Sequence, residues 1–489
     1  MSIEIDPNFS KRFDENLATE NQKQQKALDA IWNEHLSEHF PSKEGRKGRR
    51  SRTPIMIQAQ ILILNIWKVW SEDPEMCLGV HMAKKSYTRY DIVTSLLVKI
   101  VTKMEEVGLI TFWPGNEWSQ QTSRVMASPT LIAYFEKAGR LNCSEVYRAP
   151  LVLRDKNDGG EKIDLGFVET ESTRSMAVEI EAYRSVLNSS FIDIGELEKP
   201  YMCFSYWDRD KKKYIKQTTV ISQSEKQVRR IFNRASWDCG GRFYGGFWQR
   251  IDEDHRAKIL IDDVETIEQD YSGFHINLAY GLVQKTPSKG DQYAIDLKEI
   301  EGLPIERQWL KDLALATFNA KDRKEAFQAF RDMQEPKTPA KNFTDGTLTI
   351  MLDALLERHS KIADLFCSDQ GIVLMNIDSQ ITASIIKCFT DKKIPILTIH
   401  DSYITQHQYT GLLRDAMNAG VKDFFGYEIP IDQNGIGIDQ VRAFQAMERF
   451  SPDTYAMYKL LKRSERCDGY LRRLERFKAL QESKLRGSD

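Results

Sequence analysis

Between Pro54 and Trp70 the chain reads PIMIQAQILILNIWKVW, a dense helical run that marks the first core helix. Further on, TRYDIVTSLLVKIVTKMEEVGLITFW sets Ile92, Leu96, Leu97, Ile100, Val101, Met104 and Val107 at helical spacing, stops at Gly108 and becomes strand-like. A PGNEW turn and a second short strand near SRVMAS follow. Helix, helix, strand, turn, strand is the order of a winged helix-turn-helix, whose second helix enters a groove while the wing touches phosphates. The same fold also mediates protein contacts. Arg89, Lys99, Lys103 and Arg124 are its candidate phosphate contacts.

The pattern changes character after Trp237. Residues 257–274, AKILIDDVETIEQDYSGF, predict an apolar strand, an Asp262-Asp263 turn, a second strand ending at Asp270 and a helix from near Gly273. Ile394, Ile396, Leu397 and Ile399 form another apolar strand, broken by His400-Asp401 and resumed at Tyr403 and Ile404. That break predicts a hairpin with arms Ile394–Ile399 and Ser402–Thr405 and Asp401 at its turn. LPIERQWLKDLALATFNA, residues 303–320, predicts a helix with Arg307 and Lys311 stacked on one face. MNIDSQITASIIKCF predicts another, with Asp378 and Gln380 at its start, where Asp378 or Ser379 can serve as N-cap. Residues 150–235 read as helices and charged loops with no reaction motif, and Arg229, Arg230 and Arg234 as a cluster facing a nucleic-acid backbone or solvent. DTYAMYKLLKRSERCDGYLRRLERFKALQ reads as terminal helices with charged faces.

Composition narrows the class. A chain of 489 residues, 41% apolar, exceeds what one core usually organises, so two or three domains are expected. Sixty-nine basic against 71 acidic residues give a net charge of −2, so a nucleic-acid partner must be held by local basic clusters. One such cluster is SKEGRKGRRSR, residues 42–52, which ends a polar stretch, 1–53, expected to be a basic flexible tail. Seven widely spaced cysteines without C-x-x-C argue against a disulfide framework or a structural zinc. The N-terminus lacks the order of a signal peptide, and no run approaches the roughly 18 apolar residues of a membrane span. A cytoplasmic protein with no membrane partner is expected.

Strand-end carboxylates are the candidate chemistry. Asp270 and Asp401, far apart in sequence, are what two divalent metals about 3.5–4 Å apart need, one ion activating the attacking oxygen and the other stabilising the leaving one. Either aspartate alone is more often a turn residue. Magnesium suits such a site because it keeps waters and takes the rest of its shell from few carboxylates and substrate phosphates; manganese is the substitute. Arg307 and Lys311 can grip a triphosphate, Lys311 neutralising charge as pyrophosphate leaves. In DCGGRFYGGF, residues 238–247, glycines allow close approach of a phosphodiester that Arg242 can clamp, with Asp238 on the other side of the glycines.

In that order these segments resemble the polymerase domain shared by family A DNA polymerases and the single-subunit RNA polymerases of phages and mitochondria. DYSGF with Asp270 resembles motif A, Arg307-x3-Lys311 motif B, and His400-Asp401-Ser402 motif C. The D-x-x-G-R of Asp238 to Arg242, followed by Phe243 and Tyr244, resembles a template-contacting motif of the RNA polymerases. The likeness covers roughly residues 235–425. It departs where family A enzymes carry a glutamate and this chain has His275, and where motif B ends in an aromatic and a glycine but this chain has Asn319 and Ala320, with Phe318 one place early. The missing glutamate and Ser402 both lean towards ribonucleotides.

The resemblance implies an α+β right-hand polymerase of palm, fingers and thumb behind an N-terminal winged helix: tail 1–53, winged helix 54–145, helical linker or thumb-like region 146–235, palm and fingers 236–430, terminal helices 431–489. It implies catalysis by Asp270, Asp401, Lys311 and Arg307, with Asp270, Asp401 and Tyr271 holding two magnesium ions. Arg307, Lys311, His275 and Tyr271 would bind the nucleotide, and Asp238, Arg242, Tyr244, Gln380 and His400 the nucleic acid. Partners would be a DNA template, nucleoside triphosphates and an RNA or DNA product strand, with a helper protein compatible with the same scheme. The activity would be that of a primase or minimal RNA polymerase of a mobile element or phage. The alternatives are a primer-extending DNA polymerase and an inactive DNA-binding replication or regulatory protein.

Overall fold

The Pro54–Trp70 run does form a core helix. In the computed structural model, which describes residues 6–15, 17–19, 21–40, 55–82, 92–115, 122–139, 149–208, 213–435 and 466–486, it spans Ile55–Glu72 and buries ten side chains. The chain divides into two compact units, one of Met1–Arg148 with Lys199–Cys203, the other of Ala149–Glu198 with Phe204–Asp489. Arg89, the basic run 42–52 and most of the segment before Arg466 lie outside the described residues.

The first unit runs β1 (Ser10–Arg12), α1 (Gln22–Ile31), α2 (Ile55–Glu72), β2 (Cys77–Val80), α3 (Thr94–Glu106), β3 (Ile110–Trp113), β4 (Ser123–Ala127) and α4 (Pro129–Ala138). Its sheet order is β1-β2-β4-β3, with β1 parallel to β2 and the other pairs antiparallel. The periodic residues Leu97, Ile100, Val101 and Met104 of α3 are all buried, and Trp67 stacks on Phe135 at 4.8 Å. Two expectations change here. Residues 6–40 are not a tail, because β1 and α1 belong to this unit and Leu28 and Ile31 are buried in it. Arg124 is no free phosphate contact, because Nε donates to the Pro7 carbonyl at 2.8 Å and Nη1 to the Thr122 carbonyl at 2.5 Å. Lys103 pairs with Glu106, and Lys99 is exposed.

The second unit begins with β5 (Leu151–Lys156), β6 (Lys162–Leu165), α5 (Glu171–Ser189), β7 (Ile192–Ile194), β8 (Tyr201–Asp208), β9 (Lys213–Val220), β10 (Lys226–Phe232) and β11 (Gly240–Gly246), β8 being shared with the first. The stretch expected to be a helical linker therefore holds one helix, α5, among six strands, β5 to β10. Arg229 and Arg230 stand side by side between Val228 and Ile231-Phe232, and this segment pairs with β5 and β11 instead of coiling. These strands make a sheet of order β11-β10-β5-β6.

The site-bearing part continues with α6 (Glu253–Arg256), β12 (Ile259–Ile261), β13 (Val264–Tyr271), α7 (Phe274–Leu282), β14 (Glu299–Ile300), β15 (Leu303–Pro304), α8 (Arg307–Asn319), α9 (Arg323–Met333), α10 (Asp345–Arg358), α11 (Gly371–Asp391), β16 (Ile396–Ile399), β17 (Ser402–Gln406), α12 (Thr410–Phe425) and β18 (Ile431–Asn434). A last helix spans Asp468–Arg486. The central sheet has the order β16-β17-β13-β12-β7, and β18 pairs with the far end of β13. Asp262 and Asp263 turn the first hairpin with φ of 51° and 65°, and His400 turns the second at 58°. Helix α11 starts at Gly371, so Asp378 lies in its interior and caps nothing. By length and apolar composition α11 could cross a membrane. It packs instead against β11 and α12, and ten of its residues are buried.

Candidate active site

Strand register brings the two aspartates together. Asp270 stands opposite Ser402 across the β13–β17 ladder, and the Tyr271 N–H donates to the Asp401 carbonyl at 3.4 Å. On the other edge of β13, Asp270 faces Asp432 of β18, a carboxylate that sequence reasoning missed. Its signal was the alternation of Ile429 and Ile431 with Pro430 and Asp432, too short to name a strand, and its partner is set by a register spanning more than 160 positions.

The electrostatics mark this cluster. Burial, then Asp432, Asp401 and Glu268, push the Asp270 carboxyl up to about 6, while Lys311 pulls the other way. Lys311 on α8 is exposed and in no ion pair among the described residues. Arg307 is committed differently from what its spacing predicted: it makes a two-pronged bond to Asp291, 2.7 and 2.9 Å, with its guanidinium over the Tyr293 ring at 5.0 Å. Gripping a phosphate would require exchanging Asp291 for it. Tyr293, buried and within electrostatic range of Asp401, is a second residue the sequence did not disclose.

Arg242 is also engaged. Its Nε pairs with Asp378, which is fully buried, and its Nη2 lies 3.2 Å from His275 Nε2. Burial opposes the Arg242 charge, but Asp378 and Asp401 outweigh it and hold its pKa above the ordinary value. Asp378 is raised to about 6 by burial against the pull of Arg242, and Thr382 Oγ1 donates to it at 3.3 Å. The expected backbone clamp is thus an interior ion pair joining β11 to α11. Its positive charge, after burial, helps hold His275 and His400 down to about 4, so both imidazoles are neutral at pH 7. His400 lies edge-on to Tyr244 at 5.8 Å, and its buried Nδ1 has no partner among the described residues.

Three further expected contacts do not join the cluster. The Tyr271 side chain is in the core, stacked on Phe274 at 4.5 Å with its hydroxyl donating to the Met417 carbonyl at 2.6 Å, so the phenol is unavailable to a metal or nucleotide. Asp238 is exposed in the turn before β11, its N–H on Ser236 Oγ at 3.2 Å. Gln380 is exposed on α11 and donates to Asn376 at 2.6 Å. Ser402 is buried and donates to Glu268.

Asp270 and Asp401 supply carboxylate oxygens, the donor type that magnesium takes. Among the described residues no group of three or more His, Cys, Asp or Glu side chains is placed to hold a metal ion, so a metal on these aspartates would take its other ligands from water and phosphate.

No family model matches the chain, and no curated protein matches it. Among solved structures, it is similar to the POL domain of Pol1 from M. smegmatis in complex with DNA primer-template and dNTP, at a TM-score of 0.25 and 10% identity, over 44% of this chain and 49% of that one. The chain thus spans about half the length of that structure, and a likeness of this size fixes no residue correspondence.

Proposed function

We propose that this chain is a template-directed nucleotidyltransferase that makes RNA, or RNA primers, on DNA. The observation that supports it best is the register that sets Asp270 at the end of β13 beside the Asp401 turn, with Lys311 on α8 within electrostatic range of Asp270. In this reading Asp270 and Asp401 hold divalent magnesium. The bound metal would lower the pKa of an attacking hydroxyl and offset charge on the transferred phosphate. Lys311, in no ion pair among the described residues, meets the triphosphate and balances the charge on departing pyrophosphate. Arg242 and Asp378 do not touch substrate; they fix β11 against α11 and keep His275 and His400 neutral, so each imidazole has one N–H to give and one nitrogen to accept with. The α2–β2–α3–β3–β4 order of the first unit is consistent with a winged helix that would hold the template.

The test uses the whole protein and Asp401→Asn on single-stranded and primed DNA, with magnesium and either ribo- or deoxyribonucleotides. Unprimed ribonucleotide product, reduced about a hundredfold or more in the variant, is expected, that being the scale on which one transition-state group acts. Product from primer and deoxyribonucleotides alone would make it a DNA polymerase. DNA binding without product under any condition would leave only the non-enzymatic role.

A further inference from the structure

A second site lies between α5 and α11, away from the aspartates. There a cavity of about 230 Å³ has walls of Met176, Ile180, Ala383 and Ile386, with Arg230 and Phe243 from the sheet β11-β10 among its lining. Arg230 is only 5% exposed, yet it has no carboxylate within ion-pair distance among the described residues. Its Nε donates to the Gly241 carbonyl at 2.8 Å, Nη2 to Ser379 Oγ at 3.0 Å, and Nη1 to the Met176 sulfur at 3.5 Å. The guanidinium has five N–H groups, so these three leave two over, and one of the three meets only a weak sulfur acceptor. Phe232 and Phe243 flank it at 4.9 and 5.1 Å, which supports the charge but offers no anion. Burial pulls its pKa down to about 10, so it stays cationic at neutral pH.

A second buried group in the same cavity is also unsatisfied. Thr390 lines it, and its hydroxyl is buried with no partner among the described residues. Orphaned polar groups on an apolar wall cost stability unless something fills the space and bonds to them. At the rim Lys387 pairs with Asp391 at 3.1 Å, so those charges offset each other; Glu179 also lines the cavity and favours the Arg230 charge, but it is exposed, outside ion-pair distance, and screened by water.

We propose that this cavity binds a small, mainly apolar monoanion, with a carboxylate on Arg230 and a compact aromatic or branched aliphatic body against Met176, Ile180 and Ile386. The cavity is smaller than the about 300–1,000 Å³ of drug-sized sites, which limits the body to about one ring. A carboxylate suits the guanidinium because its two oxygens match the planar fork. This site is independent of the nucleotidyl-transfer reading. Arg230 holds the carbonyl of Gly241, next to Arg242, and the hydroxyl of Ser379, next to Asp378, so the cavity floor is bonded to both halves of that ion pair's support.

The probes are benzoate, its neutral isostere benzamide, and inorganic phosphate, with binding followed by saturation-transfer NMR and thermal shift on the whole protein. Benzoate is expected to bind saturably, benzamide at least tenfold more weakly, and phosphate not to compete. Ala383→Leu, which fills the cavity, should abolish benzoate binding. Equal binding of benzamide, full competition by phosphate, or unchanged binding in folded Ala383→Leu would overturn the proposal. Should Ala383→Leu fail to fold, the benzoate and benzamide comparison on the unaltered protein still decides.

Discussion

Asp270 concentrates the unfavourable electrostatics of the candidate active site. A carboxyl whose folded pKa lies near 6, above its ordinary 3.8, is penalised when ionised, so the folded state loses stability as pH rises from about 4 through 6 and keeps the loss above that. Asp270 is partly exposed, so the penalty is on the order of 1 kcal/mol after solvent screening. Asp270→Asn should therefore raise the melting temperature of the metal-free protein at pH 8, and the gain should shrink as pH falls below about 6. Magnesium should stabilise the unaltered protein at pH 8 and leave the variant unmoved. A variant no more stable than the parent at pH 8 would show that Asp432 and Asp401 do not burden Asp270 as described. At this scale the sequence placed Asp270 at a strand end, Asp401 in a hairpin turn and Lys311 on a helix, because each stands in a short local pattern. It could not disclose Asp432 or the Asp378 partner of Arg242, whose roles depend on registers and packing across more than a hundred residues.

Among the elements, hairpins and helices with one clean apolar stripe were legible: the β12–β13 and β16–β17 turns, α3, α7 and α8 stand where periodicity put them. The region 150–235 was not, because strands such as β10 mix arginines with apolar residues, and one of the two partners of β10, β5, lies far back along the chain. The last helix shows how such distant packing is fixed. Tyr470 and Leu474 enter a cluster with Phe191 and Leu260, and Arg473 forks onto Asp193, which is 1% exposed, at 2.8 and 3.1 Å. Removing the arginine leaves that carboxylate buried without its cation. Arg473→Ala should cost about 3–5 kcal/mol in denaturant unfolding at pH 8. Burial raises the Asp193 pKa and Arg473 opposes it, so in the variant the carboxyl takes up a proton more readily and the deficit should narrow as pH falls. Adding Asp193→Asn should restore part of the loss; no recovery would place the damage in lost helix packing instead of in the stranded charge.

For the whole molecule, charge decides how DNA would be held. A net charge of −2 gives no general attraction to phosphate, so binding must come from local clusters. Several arginines that looked available are used internally: Arg124 on Pro7 and Thr122, Arg230 on Gly241 and Ser379, Arg234 on Asp369, Arg242 on Asp378. That shifts the weight to residues 42–52, where six Lys or Arg stand against one Glu. Each phosphate contact contributes about −0.9 to the slope of log K against log salt on duplex DNA. Changing all six to Gln in the full chain should thus flatten the slope by up to about 5, with affinity lost most at low salt. Fluorescence anisotropy on labelled duplex across a salt series reads both quantities. If the slope of the variant matches that of the parent, the run is only a solvated charge cluster, and exposed groups such as Lys99 and Lys311 must carry the nucleic acid alone.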